Sequence, residues 1–427
     1  MLDTRYPGPE TIHRYVLDNG ITLLVYENFA TESVVLDGVV RAGAVAESAE
    51  CTGLADFTAA LLMYGTEKRP FDQIYEELEG VGAALDFAGG RHATQFSAGG
   101  LVEDLDLMLD MTAQSLCYPT FPVQYVEQVR GQILTGLQIR ANDTQQMANL
   151  AFREMLYGEH PYGRSISGYP KTILGMTREA IEAFHQRYYG PQGMIVTVVG
   201  AIRAEEALAK VTAVLGNWRN PEQQPLPEVA DVARPTGIIR RDVPMADKSQ
   251  CDIYLGLPGP RRNAPDYMDA SLMNTILGVF GMMGRIGQTV REEQGLAYYA
   301  YSHLQGGLGP SPWIVSMGVA PNKVEQAIES VRGEIGRMQN EPVPAEELAD
   351  SQAYRTGSLP VSLETNANLA GIIGDMAFYD LGLDFLQRYP GLVQAVTVER
   401  IQAAAQKYLS VDQLAVAVAG LPLNGIR

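Results

Sequence analysis

Apolar positions along this chain follow two periods and switch between them at short intervals. Apolar residues at every second position, or in short unbroken runs, argue strands; recurrence every three or four positions argues helices. Residues 12–26 read as two strands joined at Asp18-Asn-Gly20, because Asn-Gly between apolar runs is a strong hairpin signal. A further strand spans 33–42 and stops at Gly43. Residues 53–64 form an apolar helix closed by Gly65-Thr66, and 71–81 an amphipathic one. Residues 84–87 and 93–99 pair as strands around a Gly-Gly turn. Helices follow over 101–115, with Leu105, Met108, Leu109 and Thr112 on one face, then through most of 122–157 and over 177–189. Met194 opens the buried-type strand Met-Ile-Val-Thr-Val-Val-Gly, and residues 204–215 are helical.

Residues 220–237 break this rhythm. They hold Pro221, Pro225, Pro227 and Pro235 with little apolar content and read as a linker. Beyond it the order of elements restarts. A strand at 251–257 ends in a glycine-proline loop, as 33–42 ended in glycine, and an apolar helix over 268–290 stands where 53–64 stood. Strands at 298–304 and 312–319 follow. The amphipathic helix 323–337 answers 101–115, the helices from 345 to 388 answer 122–157, and 398–409 answers 177–189. The run Leu-Ala-Val-Ala-Val-Ala-Gly at 414–420 answers the strand after Met194. Two halves of about 200 residues sharing one element order indicate an internal duplication. Hairpins mixed with helices make each half α+β, a mostly antiparallel sheet packed with helices. The expected domains are 1–219 and 238–427, joined by 220–237.

Composition narrows the class. With 427 residues the chain exceeds one compact core. Lys and Arg number 32 against 50 Asp and Glu, a net charge of −18 that argues against nucleic acid as a partner and suits basic ligands. Cys51, Cys117 and Cys251 show no paired spacing, so they read as small buried residues rather than a disulfide framework. No apolar run approaches a membrane span. The start, Met1-Leu-Asp-Thr-Arg, lacks a basic segment followed by an apolar one. The expectation is a cytoplasmic protein, or a periplasmic or secreted one if a signal has been removed.

Candidate chemistry concentrates in Arg291-Glu-Glu-Gln-Gly-Leu-Ala-Tyr298. Arg291 closes the apolar helix, Gly295 breaks it and Tyr298 opens a strand, so a helix end and the strand leaving it can aim both side chains into one space. Arginine offers a fixed cation with planar donors and tyrosine a neutral O–H. Together they could stabilise the oxyanion formed when a carbonyl is attacked. Spacing alone also allows a surface arginine and an interface or core tyrosine. Weaker candidates each have a plainer reading. The glycines 278, 281, 284 and 287 would permit close helix packing; Gly306-Gly-Leu-Gly-Pro310 reads as a hairpin turn; Glu76, Glu77 and Glu79 as a solvated helix face; and His160 as a turn histidine. The five histidines, His13, His92, His160, His185 and His303, show no ligand spacing.

Several stretches resemble the insulinase/pitrilysin family of zinc metallopeptidases in its short form, which includes the mitochondrial processing peptidase subunits and paired bacterial homologues. They are the Leu-Asp-Asn-Gly hairpin, the segment from Gly53-Leu-Ala to Gly65-Thr-Glu-Lys-Arg, Tyr157-Gly-Glu-His-Pro-Tyr-Gly, the strand after Met194, and Arg-Glu-Glu-Gln-Gly-Leu-Ala-Tyr. The resemblance implies a clam-shaped pair of duplicated domains. The family's inverted zinc motif places two histidines one turn apart, with a glutamate as general base. Here those positions hold Asp56, Ala59 and Ala60, and Thr135-Gly136 stands where a later glutamate ligand is expected.

The resemblance therefore implies no zinc in this chain. It assigns Arg291 and Tyr298 as the catalytic pair that leans across a central cavity and steadies the tetrahedral intermediate. The implied role is the non-zinc subunit of a heterodimeric peptidase, with zinc and base on a homologous partner and peptide or unfolded polypeptide as substrate. The competing reading is an inert structural or peptide-binding homologue that forms a homodimer or scaffold. Neither reading involves nucleic acid or membrane.

Overall fold

The computed structural model describes residues 5–421. The first sheet contains β1 (Ile12–Val16), β2 (Thr22–Glu27), β3 (Ser33–Val40), β4 (Ala84–Gly89), β5 (Thr94–Leu101) and β6 (Ile195–Gly200), in the order β1-β2-β6-β3-β5-β4. The second contains β7 (Ile239–Pro244), β8 (Cys251–Pro258), β9 (Ala297–Leu304), β10 (Pro312–Val319) and β11 (Ala415–Leu421), in the order β7-β11-β8-β10-β9.

With β1 set aside, the two orders coincide strand for strand. In each half the first strand pairs parallel with the last, Thr22 opposite Ile195 and Ile239 opposite Ala415, and the other pairings are antiparallel. The duplication read from element order is thus present in the hydrogen-bond topology. The strand β7 has no counterpart among the elements expected from sequence. Its run Ile-Arg-Arg-Asp-Val-Pro carries three charges in six residues, because β7 lies at a sheet edge. The Asn-Gly hairpin forms as expected, with Val16 opposite Thr22 and Gly20 at φ 92°.

The halves do not pack as independent units. The helix Thr144–Tyr157 belongs to the first half in sequence, yet it lies on β7, β8 and β11 of the second sheet. Ala148, Ala151 and Phe152 are buried there with Tyr254, Ala415 and Ala417. Its counterpart Asn366–Phe378 lies on β3 and β6 of the first sheet, where Leu369, Ala370 and Ile373 join Leu24, Val35 and Val199 in one core. Each half therefore lends a helix to the other. The exchange explains why β6, β8 and β10 are buried at every position and β11 at all but its last: both faces of these strands are covered.

One expected element is corrected. The apolar stretch 268–290 is not a single helix. The helix Tyr267–Gly278 stops, residues 281–284 leave helical geometry, and a π-helical turn runs over Gly287–Glu293. Gly281, Met283 and Gly284 all have positive φ, at 64°, 80° and 68°. The glycines do different work. Gly278 lets the helix touch Ser302 of β9, as the packing reading expects, whereas Gly281 and Gly284 supply left-handed turns. The cysteines are free, but only Cys251 is buried; Cys51 and Cys117 are half-buried.

Candidate active site

The helix Leu54–Leu61 carries the degenerate motif. Its start is built by Glu47, whose carboxylate accepts the N–H groups of Gly53 (3.0 Å) and Ala55 (2.7 Å). Burial nevertheless pushes the Glu47 carboxyl up to about 7. Asp56 is half-buried beside Ser167, with β4 pressed against it at Gly89, and burial raises its pKa above the ordinary aspartate range. Ala59 is buried and Ala60 faces solvent. Thr135, on the helix Val123–Ala141, is exposed and donates its hydroxyl to the Gly131 carbonyl at 2.9 Å.

This set does not fit zinc. It offers one carboxylate and a hydroxyl already in use, where a catalytic site needs three ligands. Among the described residues no group of three His, Cys, Asp or Glu side chains could hold a metal. Three of the five histidines are engaged elsewhere. His160 accepts the Tyr162 N–H on Nδ1 and meets the Ala230 carbonyl through Nε2, the turn role expected of it. His92 bonds the Tyr162 hydroxyl, and His185 the Leu116 carbonyl.

Arg291 sits on the π-helical turn, half-buried, with its Nε 3.5 Å from Glu292. Gly295 (φ 57°) ends the turn, and the Leu296 N–H returns to the Val290 carbonyl at 2.9 Å. The chain then enters β9, the edge strand of the second sheet. Along β9, Ala297 pairs with Val319 and Tyr299 with Gly318, so Tyr298 is the extra residue of a β-bulge. It is 84 % exposed, and its hydroxyl makes no hydrogen bond to the described residues. The sequence places Arg291 and Tyr298 at a helix end and a strand start. The irregularities that hold them, a π turn and a bulge, give no periodic signal, though both are known to mark functional positions. The remaining candidates take their plainer readings. Residues 305–311 connect the antiparallel strands β9 and β10, Glu76 and Glu79 are exposed, and Glu77 pairs with Arg69 at 2.8 Å.

The duplicated α+β architecture, with a remnant motif on its first long helix, is that of a metallopeptidase scaffold. Residues 23–169 match the profile of insulinase, peptidase family M16, and residues 175–354 match that of the peptidase M16 inactive domain. An uncharacterized zinc protease of Mycobacterium leprae is 25% identical over 397 residues, covering 93% of this chain and 89% of that protein. Another, from Bacillus subtilis, is 21% identical over 401 residues, 94% of this chain and 96% of its own. The crystal structure of a peptidase M16 inactive domain from Pseudomonas fluorescens superposes with a TM-score of 0.89 at 26% identity, covering 96% of this chain and 98% of its own. A protease from Helicobacter pylori shares the fold at a TM-score of 0.90 and 18% identity. The chain belongs to the insulinase family of peptidases, family M16.

Proposed function

We propose that this chain is the non-zinc subunit of a two-chain peptidase, presenting Arg291 and Tyr298 to a zinc site on a homologous partner. The observation that carries this reading is Tyr298: a large aromatic side chain, 84 % exposed on an edge-strand bulge, with no role in its own fold. A conformation that costs ladder hydrogen bonds and leaves an aromatic ring in solvent persists where a partner uses it. The helix Leu54–Leu61 supports the same division of labour, since Ala59 can neither bind a metal nor take a proton from water. Zinc, base and attacking water then belong to the partner. The phenol and guanidinium would bind the substrate backbone and the developing oxyanion, a role that depends only on placement and can be filled across a subunit boundary.

The test is to mix this chain with a family member carrying intact zinc ligands from the same organism and to follow peptide cleavage. The mixture is expected to cleave. Tyr298→Phe and Arg291→Ala should each lower kcat by roughly 10²-fold, the effect of losing one oxyanion donor. Equal rates for wild type and both variants remove the assigned role. Self-association alone, with no zinc-bearing partner captured, would favour the inert structural homologue.

A further inference from the structure

The chain carries 50 acidic and 32 basic residues, so its arginines have carboxylates to spare. Most exposed ones use them: Arg203, Arg240, Arg241, Arg337 and Arg400 are all ion-paired. Of the described arginines without an ion pair, four come together in one place. Arg91, Arg140, Arg153 and Arg164 line one cleft of about 430 Å³. Among the described residues none of the four has a carboxylate oxygen within 4.0 Å.

Their hydrogen bonds go to neutral groups and leave donors over. Arg153 gives Nε to Asn149 (3.1 Å) and Nη2 to Gln305 of the second half (2.8 Å). Arg140 gives Nη1 to Ser165 and Nη2 to the Gly168 carbonyl. Arg164 uses one nitrogen, on the Glu47 carbonyl. Arg91 reaches two carbonyls only at 3.4 Å while lying over the Tyr162 ring. Two carboxylates are near, and both are occupied. Glu47 caps the helix Leu54–Leu61, and Glu154 holds the Tyr169 hydroxyl and Arg241. Burial and the neighbouring Arg153 push Arg91 down to about 10, and burial also lowers Arg153. Arginine side chains carry a fixed cation, so the cleft concentrates positive charge that Glu47 and Glu154 offset only in part.

We propose that this cleft binds a multiply charged oxyanion of the phosphate class, held by Arg91, Arg153 and Arg164 between the two halves. Guanidinium forks match phosphate oxygens in pairs. A single carboxylate has two oxygens and one charge, enough for one fork, and succinate holds its two carboxylates apart on a flexible chain, whereas a phosphate or diphosphate gathers enough oxygens to engage several forks at once. Because Arg153 already spans to Gln305 and Arg164 to Glu47, the bound anion would tie the second sheet to the start of the motif-bearing helix. All the residues that line the cleft come from this chain.

The full-length chain is titrated by calorimetry with inorganic phosphate and with pyrophosphate, at fixed ionic strength in chloride, with succinate as the carboxylate control. Saturable binding is expected, tighter for pyrophosphate than for phosphate and absent for succinate, with a melting temperature that rises with ligand concentration. Arg153→Gln and Arg164→Gln should each weaken pyrophosphate at least about 10-fold, while Arg203→Gln on the surface changes nothing. No saturable binding to wild type overturns the proposal without recourse to any variant. So does succinate binding as tightly as pyrophosphate, or unchanged affinity in both cleft variants shown folded by circular dichroism.

Discussion

A half-buried carboxyl away from the candidate active site sets one measurable property of the molecule. Asp37 on β3 faces the borrowed helix Asn366–Phe378, which presents Asp375 to the same cavity. Burial first, and the Asp375 charge second, raise the Asp37 carboxyl to about 6. An unfolded aspartate titrates near 3.9, so between about pH 4 and 6 the folded chain binds more protons than the unfolded one. The stability conferred by the protonated acid is therefore present at low pH and lost as pH rises through 6. Asp37→Asn, which cannot ionise, should flatten this part of the pH profile and stabilise the protein at pH 7.5 by about 1–2 kcal/mol. Urea midpoints at pH 5 and 7.5 check it; the same difference in variant and wild type would refute it. Asp37 gave no signal in the sequence, where it interrupts an apolar strand and could as readily point to water. Its burial comes from a helix more than 300 positions away, which no local pattern reports.

The elements were legible wherever one period prevailed. The strand after Met194, the helix 177–189 capped by Thr177 and the hairpin at Asn19-Gly20 all form where periodicity and turn chemistry place them. Reading failed where two signals were superposed. The stretch 268–290 is apolar enough for a helix, and its four glycines look like packing contacts, but two of them carry left-handed φ and keep the helix that stops at Gly278 from continuing. Gly284 is the decisive one. Its φ is 68°, and an added Cβ would lie 2.6 Å from the Gly278 nitrogen and from the Ile276 carbonyl oxygen. Gly284→Ala should destabilise the protein by about 1–3 kcal/mol, through both strain and overlap. Gly281→Ala, at φ 64° but with open space around it, should cost less. Chemical denaturation of the two variants gives the comparison, and equal losses would show that the close approach contributes nothing. The candidate pair was readable because Arg291 and Tyr298 lie within one short motif. The arginine cleft was not, because Arg91, Arg140, Arg153, Arg164 and Gln305 come from segments up to 214 positions apart and meet only in the fold.

At the level of the whole molecule, the sequence divides at the proline-rich linker, but the packing does not. Each sheet has one face covered by a helix from across that linker. A chain ending at residue 219 would display Ala148, Ala151 and Phe152 with no sheet beneath them, and would leave Leu24, Val35 and Val199 uncovered. That is too much exposed apolar surface for a stable monomer. The two halves are thus expected to melt in one transition despite the duplication, with coincident near- and far-ultraviolet dichroism curves. Two separated transitions would mean the borrowed helices contribute little.

The reciprocal loan of helices also says how such a molecule can be cut. Opening the backbone between residues 219 and 220 severs a connection but neither core, since the buried contacts that join the pieces do not run through that peptide bond. Two fragments made together should find one another and restore the native spectrum, while each made alone should aggregate. The peptide link between the halves then acts to raise their local concentration, and the interlocked helices decide which partner is accepted.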